Sequence, residues 1–169
     1  ALKPGMNIAD VGAGTGFFSR MFALKVSPGG TVFAVDIAKN FVEHIEALSK
    51  KEGIGNIRAS VCTDRSVELP ENSIDVAFIC DVYHHFEYPF DSMASIHKAL
   101  RPGGRVVIVD FERVVGVSPK FAIEHVRCGK GTVTDEVKDS GFDFVEEKAL
   151  GMEGQYFIVF SKRDVAPRE

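Results

Sequence analysis

Short apolar runs rich in Val, Ile and Phe recur along the chain, and polar segments of helical length separate them. Met6–Val11, Thr31–Ile37, Ile57–Thr63, Asp75–Cys80 and Arg105–Phe111 are each nearly continuous in apolar residues. Strands covered on both faces of a parallel sheet carry such runs, because neither face meets water. Between the first two runs, Phe17, Phe18, Met21, Phe22 and Leu24 fall at helical spacing. Between the second and third, Phe41, Val42, Ile45 and Leu48 do the same, with Gly53 as the stop. Met93, Ile96 and Leu100 mark a third helix, which the turn Arg101-Pro102-Gly103-Gly104 ends. The alternation predicts a doubly wound α/β sheet with right-handed crossovers.

The last third reads differently. After Val114 comes a Gly- and Pro-containing segment of weak periodicity. A short helix is predicted over Thr132–Ser140, capped by Thr132 or Thr134 and stopped at Gly141. Phe142–Leu150 and Gln155–Ser161 follow as strands separated by Gly151-Met152-Glu153-Gly154, a gap that favours an antiparallel hairpin. The polar tail Lys162–Glu169 is expected to fray.

Composition narrows the function classes. The 169 residues suit one domain, and 45% apolar with 26% charged residues is ordinary for a globular chain. A net charge of −4 without a basic run offers no general attraction to phosphate backbones or anionic lipid. Neither a nucleic-acid nor a membrane partner is therefore expected. Cys62, Cys80 and Cys128 form an odd set without a C-x-x-C pair, which argues against a zinc cluster or a disulfide framework. Ala1–Asn7 lack the charged-then-apolar pattern of a signal, so a reduced, cytoplasmic compartment is expected.

The sharpest motif is Asp10-Val11-Gly12-Ala13-Gly14-Thr15-Gly16-Phe17, placed after the first strand and before a helix. Glycines there let backbone N–H groups approach a ligand at the positive end of a helix dipole. Asp36 closes the second strand, where a carboxylate can accept both hydroxyls of a ribose and would repel a 2′-phosphate. A dinucleotide fingerprint, G-x-G-x-x-G, needs a small residue at position 17, where this chain has Phe. The loop therefore suits a smaller, non-phosphorylated tail better than a pyrophosphate.

With Val35-Asp36-Ile37, Ser73-Ile74-Asp75-Val76 leading to Asp81-Val82-Tyr83-His84-His85-Phe86, and Leu100-Arg101-Pro102-Gly103-Gly104, the chain resembles the class I S-adenosylmethionine-dependent methyltransferases over nearly its whole length. The resemblance implies a Rossmann-like, seven-stranded, mostly parallel sheet with an antiparallel C-terminal hairpin. It implies one catalytic core over residues 1–169, and the N-terminal helical cap of the family is expected to be missing. It also implies S-adenosylmethionine as cofactor, leaving as S-adenosylhomocysteine, and a small-molecule acceptor. Asp10 and the backbone of Gly12, Ala13, Gly14 and Gly16 would hold the methionine part. Asp36 would hold the ribose, Ile37 one face of the adenine, and Thr63 or Asp64 its edge. Asp10, Asp36 and Asp81 are three acids near a cofactor that carries an ammonium and a sulfonium.

On the acceptor side, His84 or His85 could take a proton at the carboxyl end of the fourth strand. The alternatives are that one caps the next helix while the other fills the wall, or that the pair orients substrate. A metal shell with Asp81 is set aside, because adjacent histidines in an extended segment point to opposite sides. His125 and Arg127 read as a solvated loop near the acceptor, and Asp110 is the weakest candidate. Cys62 and Cys80 read as buried packing residues, and the Phe17-Phe18 and Phe142/Phe144 pairs as core. A cofactor-binding pseudo-enzyme or partner-dependent subunit is the alternative function. An NAD-dependent reductase is disfavoured by Phe17 and by the lack of a Tyr-x-x-x-Lys pattern.

Overall fold

The structure, a computed structural model, describes residues 1–149, 151 and 154–164. Five parallel strands carry it: β1 (Ile8–Val11), β2 (Val32–Asp36), β3 (Ile57–Val61), β4 (Ile74–Cys80) and β5 (Leu100–Phe111). Two more close the chain, β6 (Phe142–Lys148) and β7 (Gln155–Lys162), and the seven lie in the order β3-β2-β1-β4-β5-β7-β6. β7 runs antiparallel between β5 and β6, so the expected sheet and its terminal hairpin are both present. Leu150, Met152 and Glu153 of the expected hairpin, and 165–169 of the expected frayed tail, lie outside the described residues.

The order runs outward from β1 in two directions, which puts the crossover helices on opposite faces. α1 (Phe17–Val26) and α2 (Lys39–Glu52) bury Ala23, Val26 and Ile45 against Ile8, Val32, Ala34 and Val76. α3 (Pro89–Ala99) and α5 (Lys130–Asp139) bury Met93, Ile96, Val133 and Val137 with Ala9, Val11, Ala77 and Ile79 on the other side. Each central strand thus feeds both cores, which explains its unbroken apolar run. Gly53 ends α2 in a left-handed cap, as its position in the sequence implied.

Four local expectations fail. Arg101–Gly104 is not a plain turn: Leu100 pairs with Ile74 and Arg105 with Val76, so four residues bulge out within β5. α5 starts at Lys130 after an extended Gly129, which puts Thr132 and Thr134 inside the helix rather than at its cap. The segment after Val114 contains a six-residue helix, α4 (Lys120–His125), too short for periodicity to reveal. The start of the tail is tied down: Lys162 belongs to β7, and Arg163 pairs with Asp143 at 2.8 Å.

Candidate functional site

β1, β2 and β4 end around a cavity of 1120 Å³ at the topological switch point, where the strand order reverses. The glycine loop forms one wall. Gly12 and Ala13 donate their N–H groups to Val35 O at 2.8 and 3.1 Å, which ties the loop to β2. Gly12 has φ +70°, and a Cβ there would sit 2.5 Å from Val82 Cγ2. Gly14 has φ +53° and nothing within 4 Å on its Cβ side, yet it lines the cavity. A loop pressed against protein at one glycine and open at the next is shaped for a ligand. Gly16 is buried at the start of α1, also left-handed.

Asp36 joins the loop to β2. Its Oδ2 accepts the Gly14 N–H at 2.8 Å and its Oδ1 the Ala38 N–H at 2.9 Å. Each oxygen keeps a lone pair, and the side chain lines the cavity. Asp10 is placed differently: it is buried beneath the loop, accepts the Ser19 hydroxyl at 2.5 Å, and is not among the cavity's lining residues. Burial pushes its carboxyl up to about 6, against the hydrogen bonds from Ser19. Ser19, invisible as a site residue in the sequence, is its anchor.

Ile37 lines the next wall at 67% exposure, a large apolar surface left for a ligand to cover. Thr63 and Asp64 both line the cavity beyond it. Thr63 Oγ1 accepts N–H bonds from Arg65 and Ser66 at 3.3 and 3.0 Å, so its hydroxyl is spent on its own turn. Among the described residues no hydrogen bond engages the Asp64 carboxylate.

At the far wall stand Asp81 and His85. Asp81 adopts φ +58°, an uncommon conformation for a non-glycine residue, at the point where β4 turns over the cavity. Desolvation raises its carboxyl above the usual range, and the imidazoles of His84, His85 and His125 oppose the shift. The chain then forms a 3-10 turn over Tyr83–His85. This overturns the extended geometry assumed for the two histidines: their rings lie on the same side, centroids 4.1 Å apart. His84 is buried, its Nδ1 2.7 Å from Asp110 Oδ1, while its backbone N–H donates to Asp110 Oδ2 at 3.1 Å. Asp110, ranked last from the sequence, is thus the residue that fixes His84. His125, at the end of α4, completes the group, 5.1 Å from His84 and 4.9 Å from His85 by ring centroids.

Other assignments change with burial. Phe17, Phe18, Met21 and Phe22 line the cavity, so the first aromatic pair is wall rather than core. Phe142 is core, but Phe144 is 42% exposed. Cys62 and Cys80 are half-buried lining residues, and desolvation pushes both thiols up to about 11, so neither is a nucleophile at neutral pH. Arg127 is drawn away from the acceptor side: it pairs with Glu136 through two bonds of 2.8 and 2.7 Å, and the buried Tyr83 hydroxyl donates to the same carboxylate at 3.1 Å. Tyr83→Phe should cost about 1.5 kcal/mol, the scale of a hydrogen bond to a charged group. The drop should appear in urea unfolding with ligand-induced stabilisation unchanged, because Tyr83 does not line the cavity.

A doubly wound sheet with a glycine loop after β1 and a cavity-lining acid at the end of β2 has the architecture of a nucleotide-type α/β binding domain. A sequence profile described as a methyltransferase domain matches residues 9–108. The ubiquinone/menaquinone biosynthesis C-methyltransferase UbiE of Stutzerimonas stutzeri is 30% identical over 112 residues, which is 66% of this chain and 44% of that protein. UbiE of Ectopseudomonas mendocina is 28% identical over 113 residues, again 66% of this chain and 44% of the relative. The match therefore spans less than half the length of these relatives. A SAM-dependent methyltransferase from Aquifex aeolicus superposes with a TM-score of 0.85 at 22% identity, covering 95% of this chain and 84% of that one. The [4+2]-cyclase SpnF does so at 0.82 and 15%, covering 96% and 77%, a likeness of fold alone. The chain belongs to the methyltransferase-domain family, within the class I S-adenosylmethionine-dependent methyltransferases, and S-adenosylmethionine is the cofactor of that class. Its residues fit that cofactor: Gly14 leaves open space along the wall, Asp36 and Asp81 face a ligand that carries positive charge, and Ile37 offers an apolar face.

Proposed function

We propose that the chain transfers the methyl group of S-adenosylmethionine, by in-line displacement, to a small-molecule acceptor held at the His85 end of the cavity. The observation that carries this is the continuity of the cavity from Asp36 and Gly14 to His85 and Phe86. Its 1120 Å³ exceeds the roughly 300–1,000 Å³ typical of a single ligand, so two can lie end to end. The UbiE relatives, named as C-methyltransferases of ubiquinone and menaquinone biosynthesis, point the same way, and so do the apolar walls of Phe18, Phe22, Phe86 and Phe157. With a net charge of −4, nucleic acid is the weaker acceptor class, and three free thiols suit a reducing cytoplasm.

In this reading the cofactor supplies an electrophilic methyl on a sulfonium. The chain's own residues do the rest. Gly12, Ala13 and Gly14 border the methionine part with their backbone, Gly16 lies outside the cavity lining and closes the turn through its N–H to Ala13 O at 2.8 Å, and Asp10 braces that loop from below. Asp36 accepts the ribose hydroxyls, Ile37 covers an adenine face, and Asp64 rather than Thr63 meets the adenine edge. Asp81 offsets the positive charge. His85, kept below the usual histidine pKa by desolvation and by two neighbouring imidazoles, is neutral at pH 7 with a nitrogen free to accept an acceptor's proton. His84, fixed by Asp110, holds His85 in place. Alignment at roughly 3–3.5 Å and exclusion of water supply most of the rate.

The experiment is a thermal-shift assay followed by transfer of labelled methyl to an acceptor panel that includes quinols. S-adenosylhomocysteine should raise Tm while NAD should not, and His85→Ala should keep the shift but lose turnover. No shift at millimolar ligand in the folded protein would sink the proposal.

A further inference from the structure

His84, His85 and His125 bring together more ligating atoms than an acceptor wall requires. Each offers one ring nitrogen, and the three nitrogens lie within 4.8 Å of one another. Among the described residues, no hydrogen bond to another protein group occupies the ring of His85 or of His125. His84 is different: Asp110 takes its Nδ1 at 2.7 Å, an arrangement in which the neutral ring carries its proton on Nδ1 and presents Nε2 as the ligating atom. Asp110 is itself held by the N–H groups of His84 and Phe111, at 3.1 and 2.7 Å. A carboxylate that fixes the tautomer and orientation of an imidazole is the usual support of a metal-ligating histidine. Asp81 stands within the same 4.8 Å of His84 and Asp110, so two acids border the cluster.

We propose that His84, His85 and His125 bind one divalent transition-metal cation of the zinc, cobalt or nickel type, with Asp110 as the positioning residue and a coordination position open on the cavity side. Three nitrogen donors select such borderline ions over magnesium or calcium, which take oxygen. Three protein ligands with a fourth position free is the pattern of catalytic rather than structural zinc. Zn–N bonds of about 2.0–2.1 Å set the nitrogens about 3.3 Å apart in a tetrahedral shell, so the cluster must contract on binding. The contraction falls on His125, exposed at the last turn of the six-residue α4, while buried His84 stays with Asp110. The cation takes the His85 nitrogen that otherwise accepts a proton. An acceptor oxygen or nitrogen beside His85 would then be polarised by the metal, which deepens the acceptor half of the proposed function and rests on it there. The binding site itself stands without it.

The probe is Co2+ titrated into the chain without a histidine tag, followed by visible absorption and equilibrium dialysis, with S-adenosylhomocysteine thermal shift run in parallel. One equivalent should bind with a tetrahedral-type spectrum. Affinity should fall at least 100-fold in His125→Ala and roughly 10–100-fold in Asp110→Asn, while His44→Ala on the exposed face of α2 leaves it unchanged. The S-adenosylhomocysteine shift should survive in His125→Ala, which shows that the variant is folded. No uptake of Co2+, or equal uptake by His125→Ala, overturns the metal site. If the S-adenosylhomocysteine shift persists in that case, the cofactor reading remains. Loss of that shift in the unaltered chain would instead reject the cofactor reading.

Discussion

Asp36→Ala is expected to remove nearly all of the stabilisation that S-adenosylhomocysteine confers. In the unaltered chain, ligand at a hundredfold excess over Kd adds about 2.7 kcal/mol, roughly 5–10 °C for a chain of this size. The variant loses two things together. The ribose hydroxyls lose a charged acceptor, at about 1.5–3 kcal/mol per bond. The Gly14 N–H also loses the carboxylate that sets the open part of the loop, since Asp36 Oδ2 accepts it at 2.8 Å. Even one such bond to each hydroxyl amounts to more than a 100-fold loss of affinity. At the ligand concentration that saturated the parent, the shift should fall to within about 1 °C of zero. Asp36→Asn should lie between, because it keeps one acceptor oxygen without the charge. Differential scanning fluorimetry over a ligand series separates this loss of binding from any change in the Tm of the free variant. A shift of parental size in Asp36→Ala would remove the acid from the site.

The cofactor half was legible because its constraints are local. A left-handed glycine pressed against Val82 and an acid at the end of β2 must appear at set places in the chain, and they do. The sheet was legible because β1 is buried at all four positions and β4 at most of its own, which leaves an unbroken apolar run. The step from apolar spacing to core held for Val42 and Ile45 of α2 and for Met93 and Ile96 of α3, and failed in α1. Phe17 and Met21 repeat at helical spacing, yet they are 56% and 48% exposed at the cavity's edge. Periodicity reports that a face is apolar; it does not say whether protein or ligand covers it. The histidine cluster failed for another reason. Its geometry depends on Asp81 at φ +58° and a 3-10 turn, neither of which Asp or His encodes by type. It also depends on His125 and Asp110, distant in sequence and joined only by the fold.

Asp10 makes the sharpest claim on pH. Its carboxyl rises from 3.8 to about 6 in the folded chain, mainly by burial, a difference of about 2 pK units or about 3 kcal/mol. The sign follows from linkage. Above pH 6 the side chain is ionised both folded and unfolded, and the folded state bears the full cost. Between 6 and 3.8 the folded chain binds the proton first, so stability from this group rises as pH falls. Below 3.8 both states are protonated and the cost has gone. Asp10→Asn carries no such dependence. Its buried NH2 adds a fixed penalty of about 1–3 kcal/mol wherever it lacks an acceptor, so the level of stability at any one pH is not diagnostic. The slope is. Relative to Asp10→Asn, the parent should gain about 2.5 kcal/mol between pH 7.5 and pH 4, measured by urea unfolding at each pH. Subtracting the variant cancels the contributions of the other titrating groups. A flat difference would mean that Asp10 ionises normally under the loop. A slope of the stated sign has a consequence for binding as well. An acid that bears the cost of its charge in the free protein gains most when a ligand's ammonium arrives. The affinity for S-adenosylhomocysteine should then rise more steeply with pH across 5 to 7 in the parent than in Asp10→Asn, where Asp81 still titrates, and that difference is the measure of a ligand ammonium near Asp10.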